Sequence, residues 1–176
     1  MSRILPPLSQ THRLFLFAPP VIAAGVLAWF LFVAGPRNGL PIQPHAPDWA
    51  LLTRQTPVLQ IHIAAAVVAL AIGLILLAGI KGNRLHRILG WAWVLAMATV
   101  AISSFFVREL NGGALSLVHL LSGWTVIVLP MAVYAARRHE VARHRGRMTG
   151  LFVGALVIAG MFTLFPGRLM WSVFLG

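Results

Sequence analysis

Five long apolar spans, separated by short polar or basic connections, dominate the hydrophobic pattern of this chain. They cover about residues 14–34, 58–80, 85–107, 114–136 and 148–165. A helix that crosses a bilayer needs about 20 predominantly apolar residues, and these spans meet or approach that length. Short turns such as KGNR, between the second and third spans, make neighbouring helices antiparallel. The pattern predicts an all-α fold, a polytopic membrane helix bundle of about five transmembrane helices.

The connections divide this single integral membrane domain, residues 1–176, into three parts. Residues 1–57 hold the first helix and a proline-rich loop that includes His45. Residues 58–166 hold spans two to five, which we expect to form a four-helix core. Residues 167–176 are apolar but too short to cross the bilayer, and we expect this tail to rest at the membrane interface with Trp171 as an anchor.

The composition indicates a membrane protein, and the distribution of its positive charges predicts the orientation. Hydrophobic residues make up 59% of the chain, charged residues 10%, and the mean hydropathy is +0.87. The net charge of +11 comes from 14 Lys and Arg residues that lie almost wholly beside the spans, so it indicates orientation rather than nucleic-acid binding. Ten of the 14 fall on the side of the N-terminus. The N-terminus is therefore expected in the cytoplasm and the C-terminus on the opposite side.

Four histidines stand at the N-terminal ends of spans two to five, namely His62, His86, His119 and His144. The separations repeat, because His119 follows His62 by 57 residues and His144 follows His86 by 58. This spacing indicates a duplicated helical hairpin. In an antiparallel bundle it pairs His62 with His119 near the outer surface and His86 with His144 near the cytoplasmic surface. The two levels should be about 20–25 Å apart, from a helical rise of ~1.5 Å per residue.

Paired imidazoles inside a membrane favour a particular ligand chemistry. An unpartnered imidazole is costly there, so matched pairs indicate a function. Two neutral imidazoles suit the axial positions of a haem iron, whose porphyrin supplies four further nitrogens. Zinc wants about four ligands, and the sequence holds no cysteine to add to each pair. The three acids lie in loops: Asp48, Glu109 and Glu140.

Residues next to the histidines agree with a flat ligand. One turn after three of them stand Ala66, Gly90 and Gly123, whereas Met148 follows His144. Small residues would let a macrocycle lie against the helix backbone; alternatively, they allow close helix packing.

Arginines and a second histidine bear on the cytoplasmic pair. Arg87 and Arg145 directly follow its two histidines and would neutralise haem propionates; alternatively, they only set orientation. His139 is a rival to His144 at the same helix end. We prefer His144, because it keeps the repeat and shares a His-Arg dipeptide with His86.

The positions of the six tryptophans indicate whether these residues could carry electrons through the protein. Most of the six fall near predicted span ends, which is typical of an aromatic belt rather than of an electron-hopping chain. They are Trp29, Trp49, Trp91, Trp93, Trp124 and Trp171.

Three segments carry a resemblance to a family, KGNRLHRILGWAWVLAM, SLVHLLSGW and HRGRMTGLFVGALVIAGMFTLFPGRLM. They resemble an uncharacterised family of bacterial integral membrane proteins, known as a domain of unknown function, over about residues 58–170. The resemblance implies a polytopic protein of the bacterial inner membrane and supplies no established activity. In that membrane, the orientation expected from the charges makes the C-terminus periplasmic. The histidine pattern is also similar to that of transmembrane di-haem b-type cytochromes, including the ascorbate-reducible ones. This similarity implies an outer haem b on His62 and His119 and an inner one on His86 and His144.

Two functional hypotheses follow. The first is a b-type cytochrome-like electron-transfer protein, a component of a membrane oxidoreductase, with two bis-histidine haem sites and a quinone or a redox protein as partner. The second is a haem-free transporter or accessory subunit, in which the histidines hydrogen-bond between helices or handle protons. The bilayer is a partner in both, nucleic acid in neither, and a homodimer or a larger complex is compatible with both.

Overall fold

The computed structural model describes residues 43–107 and 117–176, with the single positions 25, 28, 37 and 39 before them. Every regular element of the two segments is helical. The elements are α1 (Trp49–Thr53), α2 (Pro57–Ala78), α3 (Arg84–Ser104), α4 (Leu117–Arg137), α5 (Val141–Phe162) and α6 (Leu169–Phe174). The first span expected from the sequence, 14–34, lies outside these segments.

Four of these helices are long and apolar enough to cross a membrane, namely α2, α3, most of α4 and α5. They correspond to spans two to five, so the helical membrane bundle is confirmed. The main difference lies in α5, which begins at Val141 rather than near residue 148. Its first turns carry Arg143, Arg145 and Arg147. A hydropathy pattern excludes such residues, yet long basic side chains at a helix end can reach polar surroundings. His144 therefore lies inside the helix rather than before it.

Local signals position the helix starts near the histidines. The side chain of Thr56 caps α2 by accepting from Leu59 N, and Pro57 occupies the first turn, where its missing N–H costs nothing. Gly82 adopts a φ of 83°, and the next residue, Asn83, accepts a 2.7 Å hydrogen bond from the main-chain N–H of His86. These caps hold His62 and His86 within the first turns of α2 and α3.

The connection between α4 and α5 is a tight turn. His139 has a φ of 58°, and Glu140 N donates a 2.9 Å hydrogen bond to Ala135 O. Within α5, the stretch Leu151–Ile158 is a π-helix. Such wide turns are rare and occur mostly as short insertions in α-helices.

The four long helices form a closed arrangement. Each of α2–α3, α3–α4 and α4–α5 packs as a neighbouring pair, and the π-helical part of α5 also contacts α2 and α4. Its interior holds one cluster of buried apolar side chains, namely Ala69, Trp93, Met97, Leu129, Leu151, Phe152 and Leu156. The outward faces are apolar as well; Val67 and Leu74 of α2, for example, are more than half exposed. An apolar exterior around an apolar core is typical of a bundle surrounded by lipid.

The bundle has two chemically different ends. The His62 end contains the starts of α2 and α4 and the finishes of α3 and α5. The basic end contains the opposite helix termini, with Lys81, Arg84, Arg87, Arg137, Arg138, Arg143, Arg145 and Arg147.

Segments before α2 and after α5 join at the His62 end. The main-chain N–H groups of Gln43, His45 and Asp48 donate hydrogen bonds of 2.9–3.1 Å to carbonyls of residues 173–175. Trp171 is only 7% exposed and Val173 is fully buried. The expectation that Trp171 is a surface anchor is therefore wrong, because these bonds fold α6 back onto the chain. Its indole packs inside the protein.

Candidate functional site

All four histidines lie on the buried stripes of their helices. In α2 the stripe continues from His62 through Ala66, Ala69 and Gly73, and in α3 from His86 through Gly90, Trp93 and Met97. In α4 it runs from His119 through Ser122, Thr125 and Leu129, and in α5 from His144 through Met148 to Leu151. These spacings of three and four residues keep one helix face toward the core. The four imidazoles consequently start at core-facing positions, two at each end of the bundle.

His62 is fixed to the last turns of α3 through its Nδ1 atom. Nδ1 lies 3.1 Å from the carbonyl oxygen of Val100 and 3.0 Å from Oγ of Ser103. The Ser103 hydroxyl donates its hydrogen to Thr99 O at 2.6 Å, so toward the imidazole it accepts. Since a carbonyl can only accept, Nδ1 of the neutral ring carries the hydrogen. Nε2 therefore keeps its lone pair, the state required of a metal-ligating imidazole.

His119 is the most buried of the four, at 7% exposure, and starts the core face of α4. Its ring centre lies 6.3 Å from that of Phe105, the residue that ends α3. Close by in sequence, Ser122 Oγ donates a 2.7 Å hydrogen bond to Ser104 Oγ. His62 and His119 thus contact the same end of α3, residues 100–105. Sequence reasoning missed the serines, although Ser103-Ser104 is a visible polar pair near the end of an apolar span.

His86 and His144 occupy the basic end. Nδ1 of His144 lies 3.0 Å from the carbonyl oxygen of Ala132 in α4, which again assigns the hydrogen to Nδ1 and the lone pair to Nε2. His86 interacts electrostatically with His144 and with Lys81, so the two imidazoles are neighbours. Both rings are half-buried.

The alternative ligand at this end, His139, has a different environment. It is exposed, lies in the turn before α5 and has the left-handed φ noted above. Of the two rival histidines, His144 contacts the helix bundle.

Arg87 and Arg145, the residues after this pair, are exposed at the basic end. Arg147 is better held, because it donates a 2.8 Å hydrogen bond to Met131 O.

A packed layer separates the two histidine levels. Trp93 is 3% exposed, so the expected aromatic belt does not include this tryptophan. Its Nε1 faces Gly73 in α2, where an added Cβ would lie 3.0 Å from Nε1 and 2.4 Å from the ring of Phe152. The signal in the sequence was its position seven residues after His86, on the same helix face. Phe152 completes this aromatic layer from α5.

The number of imidazoles at each end matches the two protein ligands that a haem iron takes. Within the described segments, no group of three or more His, Cys, Asp or Glu side chains could hold a metal ion, whereas a haem iron asks the protein for only two. Gly90 and Gly123 follow His86 and His119 by one turn. Apart from the adjoining residues and backbone of its own helix, no described atom lies within 4 Å of a Cβ built on either glycine. Ala66, the third small residue, packs against the core cluster.

Comparison with known proteins identifies a family. The model of the family described as "Predicted membrane protein (DUF2306)" matches residues 59–174. This match covers well over half of the chain, so the chain belongs to this family of membrane proteins. No curated protein and no solved structure matches the chain.

Proposed function

We propose that this member of the DUF2306 family is a b-type cytochrome-like electron-transfer protein with two bis-histidine haem sites. His62 and His119 would hold one haem b, and His86 and His144 the other. The observation that carries the proposal is the Nδ1 hydrogen bond of His62 and of His144 to a main-chain carbonyl. Each bond fixes the ring orientation and leaves Nε2 as a ligand.

The depth of the pairs supports transfer across the membrane. Val100, which holds His62, follows His86 by 14 residues in α3, which is ~21 Å at ~1.5 Å per residue. Bound haem supplies a one-electron iron couple at each level. The chain's own contribution is to orient the imidazoles and to exclude water with the layer of Trp93, Met97 and Phe152.

The charges support an orientation. We place the basic end in the cytoplasm of a bacterium and the His62 end in the periplasm, because basic residues accumulate on the cytoplasmic side of inner-membrane proteins. Arg87 and Arg145 would then face haem propionates at the cytoplasmic surface. A quinone or a redox protein would be the electron partner.

An absorption spectrum tests the proposal directly. Protein purified from haem-sufficient cells should show a haem b spectrum that sharpens on reduction with dithionite, with two haems per chain. His119→Ala and His144→Ala should each remove about one of the two haems. His139→Asn is the matched control, since asparagine tolerates the left-handed φ at this turn, and it should keep both. A folded, colourless preparation would refute the proposal.

A second candidate function rests on the same hydrogen bonds. His62 joins α2 to α3, and His144 joins α5 to α4. In a haem-free transporter or accessory subunit these bonds would be the purpose of the histidines. This candidate predicts that His62→Ala weakens helix packing and leaves every absorption spectrum unchanged.

A further inference from the structure

A groove of about 570 Å³ follows the outer surface between α3 and α4, away from the histidines. Its walls include Trp91, Ala98 and Ile102 from α3, and Val126, Pro130 and Arg137 from α4. Because the helices are antiparallel, Trp91 and Arg137 share the basic end of the groove, and Ile102 and Val126 share its other end. The first and last residues of each wall are 11 positions apart, which is ~17 Å of helix.

The length of the groove matches one leaflet of a bilayer. The hydrocarbon core is about 30 Å thick, so one leaflet accounts for ~15 Å. The groove starts at the last residue of α4, Arg137, and reaches the middle of that helix at Val126. Its walls are otherwise almost wholly apolar, and Trp91 and Ile102 are half-exposed. It thus has the depth and chemistry of a slot for one lipid chain.

The polar end of the groove carries positive charge. The guanidinium of Arg137 lies 5.9 Å from the ring centre of Trp91, which holds it at the mouth. Beside it, Nε of Arg138 donates a 2.8 Å hydrogen bond to the hydroxyl of Tyr134, another wall residue. The nearest carboxylate in sequence, Glu140, is paired with Arg143 at 2.9 Å. The mouth is therefore suited to an anion, and a guanidinium binds phosphate with two parallel hydrogen bonds.

We propose that this groove binds an anionic glycerophospholipid from the leaflet at the basic end, with one acyl chain between α3 and α4 and its phosphate at Arg137. The charge at the mouth favours this occupant over an isoprenoid quinone, which has a long apolar tail and no charge for Arg137 to neutralise. The inference is independent of haem.

Native mass spectrometry of the purified protein, with phosphatidylglycerol or phosphatidylcholine added, tests this site. The protein should retain phosphatidylglycerol at least about 10-fold more strongly, because only this lipid has a net negative headgroup. Arg137→Gln should reduce its retention about 10-fold, the loss expected for a charge-assisted hydrogen bond. Ala98→Leu, which fills the middle of the groove, should reduce retention of both lipids while leaving the charge in place.

The control is Lys81→Gln, which removes a positive charge from the same end but outside the groove, where the ammonium donates only to the main-chain carbonyls of residues 77 and 79. It should retain phosphatidylglycerol as the unmodified chain does. Circular dichroism and a single elution peak establish that each variant is folded. Four outcomes would each overturn the proposal: equal retention of the two lipids, equal losses in Arg137→Gln and Lys81→Gln, no effect of Ala98→Leu, or a quinone in the organic extract that phosphatidylglycerol does not displace.

Discussion

The two histidine pairs share a sequence spacing but lie in different surroundings. At the His62 end, His119 is 7% exposed, and the other buried polar side chains of the described residues are neutral, namely Ser103, Ser104, Ser122 and Thr125. At the basic end, His86 and His144 are half-buried, and the neighbouring side chains are mostly cationic. The repeated spacing thus gives two histidines at each end of the bundle without matched environments. We infer that the first pair contributes more to the stability of the bundle, while the second is more open to solvent and to partners.

Substituting one histidine at each end should give the largest difference in the free energy of unfolding between two variants. We expect His119→Ala to lower the free energy of unfolding by about 2–4 kcal/mol, because it leaves a cavity in a closed site. His86→Ala should cost about 1 kcal/mol or less, since lipid headgroups and water can fill the space. Denaturant unfolding in detergent measures both. Each variant lacks one proposed haem ligand, so any loss of haem affects both variants alike. Equal losses of unfolding free energy would contradict the inferred difference in stability between the two ends.

The layer between the ends should respond more strongly to one added methyl group than the ends do. Gly73→Ala would place a Cβ 2.4 Å from the ring of Phe152, and we expect this overpacking to cost about 1–3 kcal/mol. Gly90→Ala is the matched control, because its Cβ would meet no described atom within 4 Å outside the adjoining part of its own helix. It should be neutral or stabilise α3 by up to ~1 kcal/mol through its better helix propensity. The same unfolding measurement checks both variants, and a destabilised Gly90→Ala would show that this space is filled.

Carboxylates at the two ends should give the smallest effects. Asp48 at the His62 end accepts hydrogen bonds from the N–H groups of Ala50 and Leu51, so Asp48→Ala should cost about 1 kcal/mol. At the basic end, Glu140→Ala breaks the exposed pair with Arg143 and should cost about 0.5 kcal/mol or less. Added salt should reduce the second cost and leave the first. A salt-independent loss in Glu140→Ala would mean that this residue does more than pair with Arg143.

The sequence predicts those parts of the fold that follow from the alternation of apolar and polar stretches along the chain. Apolar length gave four spans that the described segments contain, and the spacing of four residues placed Gly90 on the same face of α3 as His86. The start of α5 could not be read in this way, because its basic first turns belong to the helix but not to the apolar pattern. Hydropathy reports where lipid begins, whereas the helix continues beyond it.

Other features depend on contacts between distant residues. Trp171 is buried because residues 43–48 bond to the segment that follows it, about 125 positions later in the chain. The carbonyls that orient His62 and His144 belong to other helices, and no local pattern specifies which carbonyl will be near. The sequence could therefore nominate the imidazoles, but only the packing of α3 and α4 shows which ring nitrogen is engaged.

The π-helix in α5 affects how this chain can change length. In an α-helix, deletion of one residue turns all later side chains by ~100° about the axis and moves a buried stripe away from the core. A turn closed by an i→i+5 bond contains one residue more than an α-helical turn. Loss of a residue within Leu151–Ile158 can therefore be absorbed by tightening that turn, with residues 159–162 kept in register. Among the four long helices that the structure describes, α5 is the one in which a single-residue deletion can leave both ends of the bundle in place.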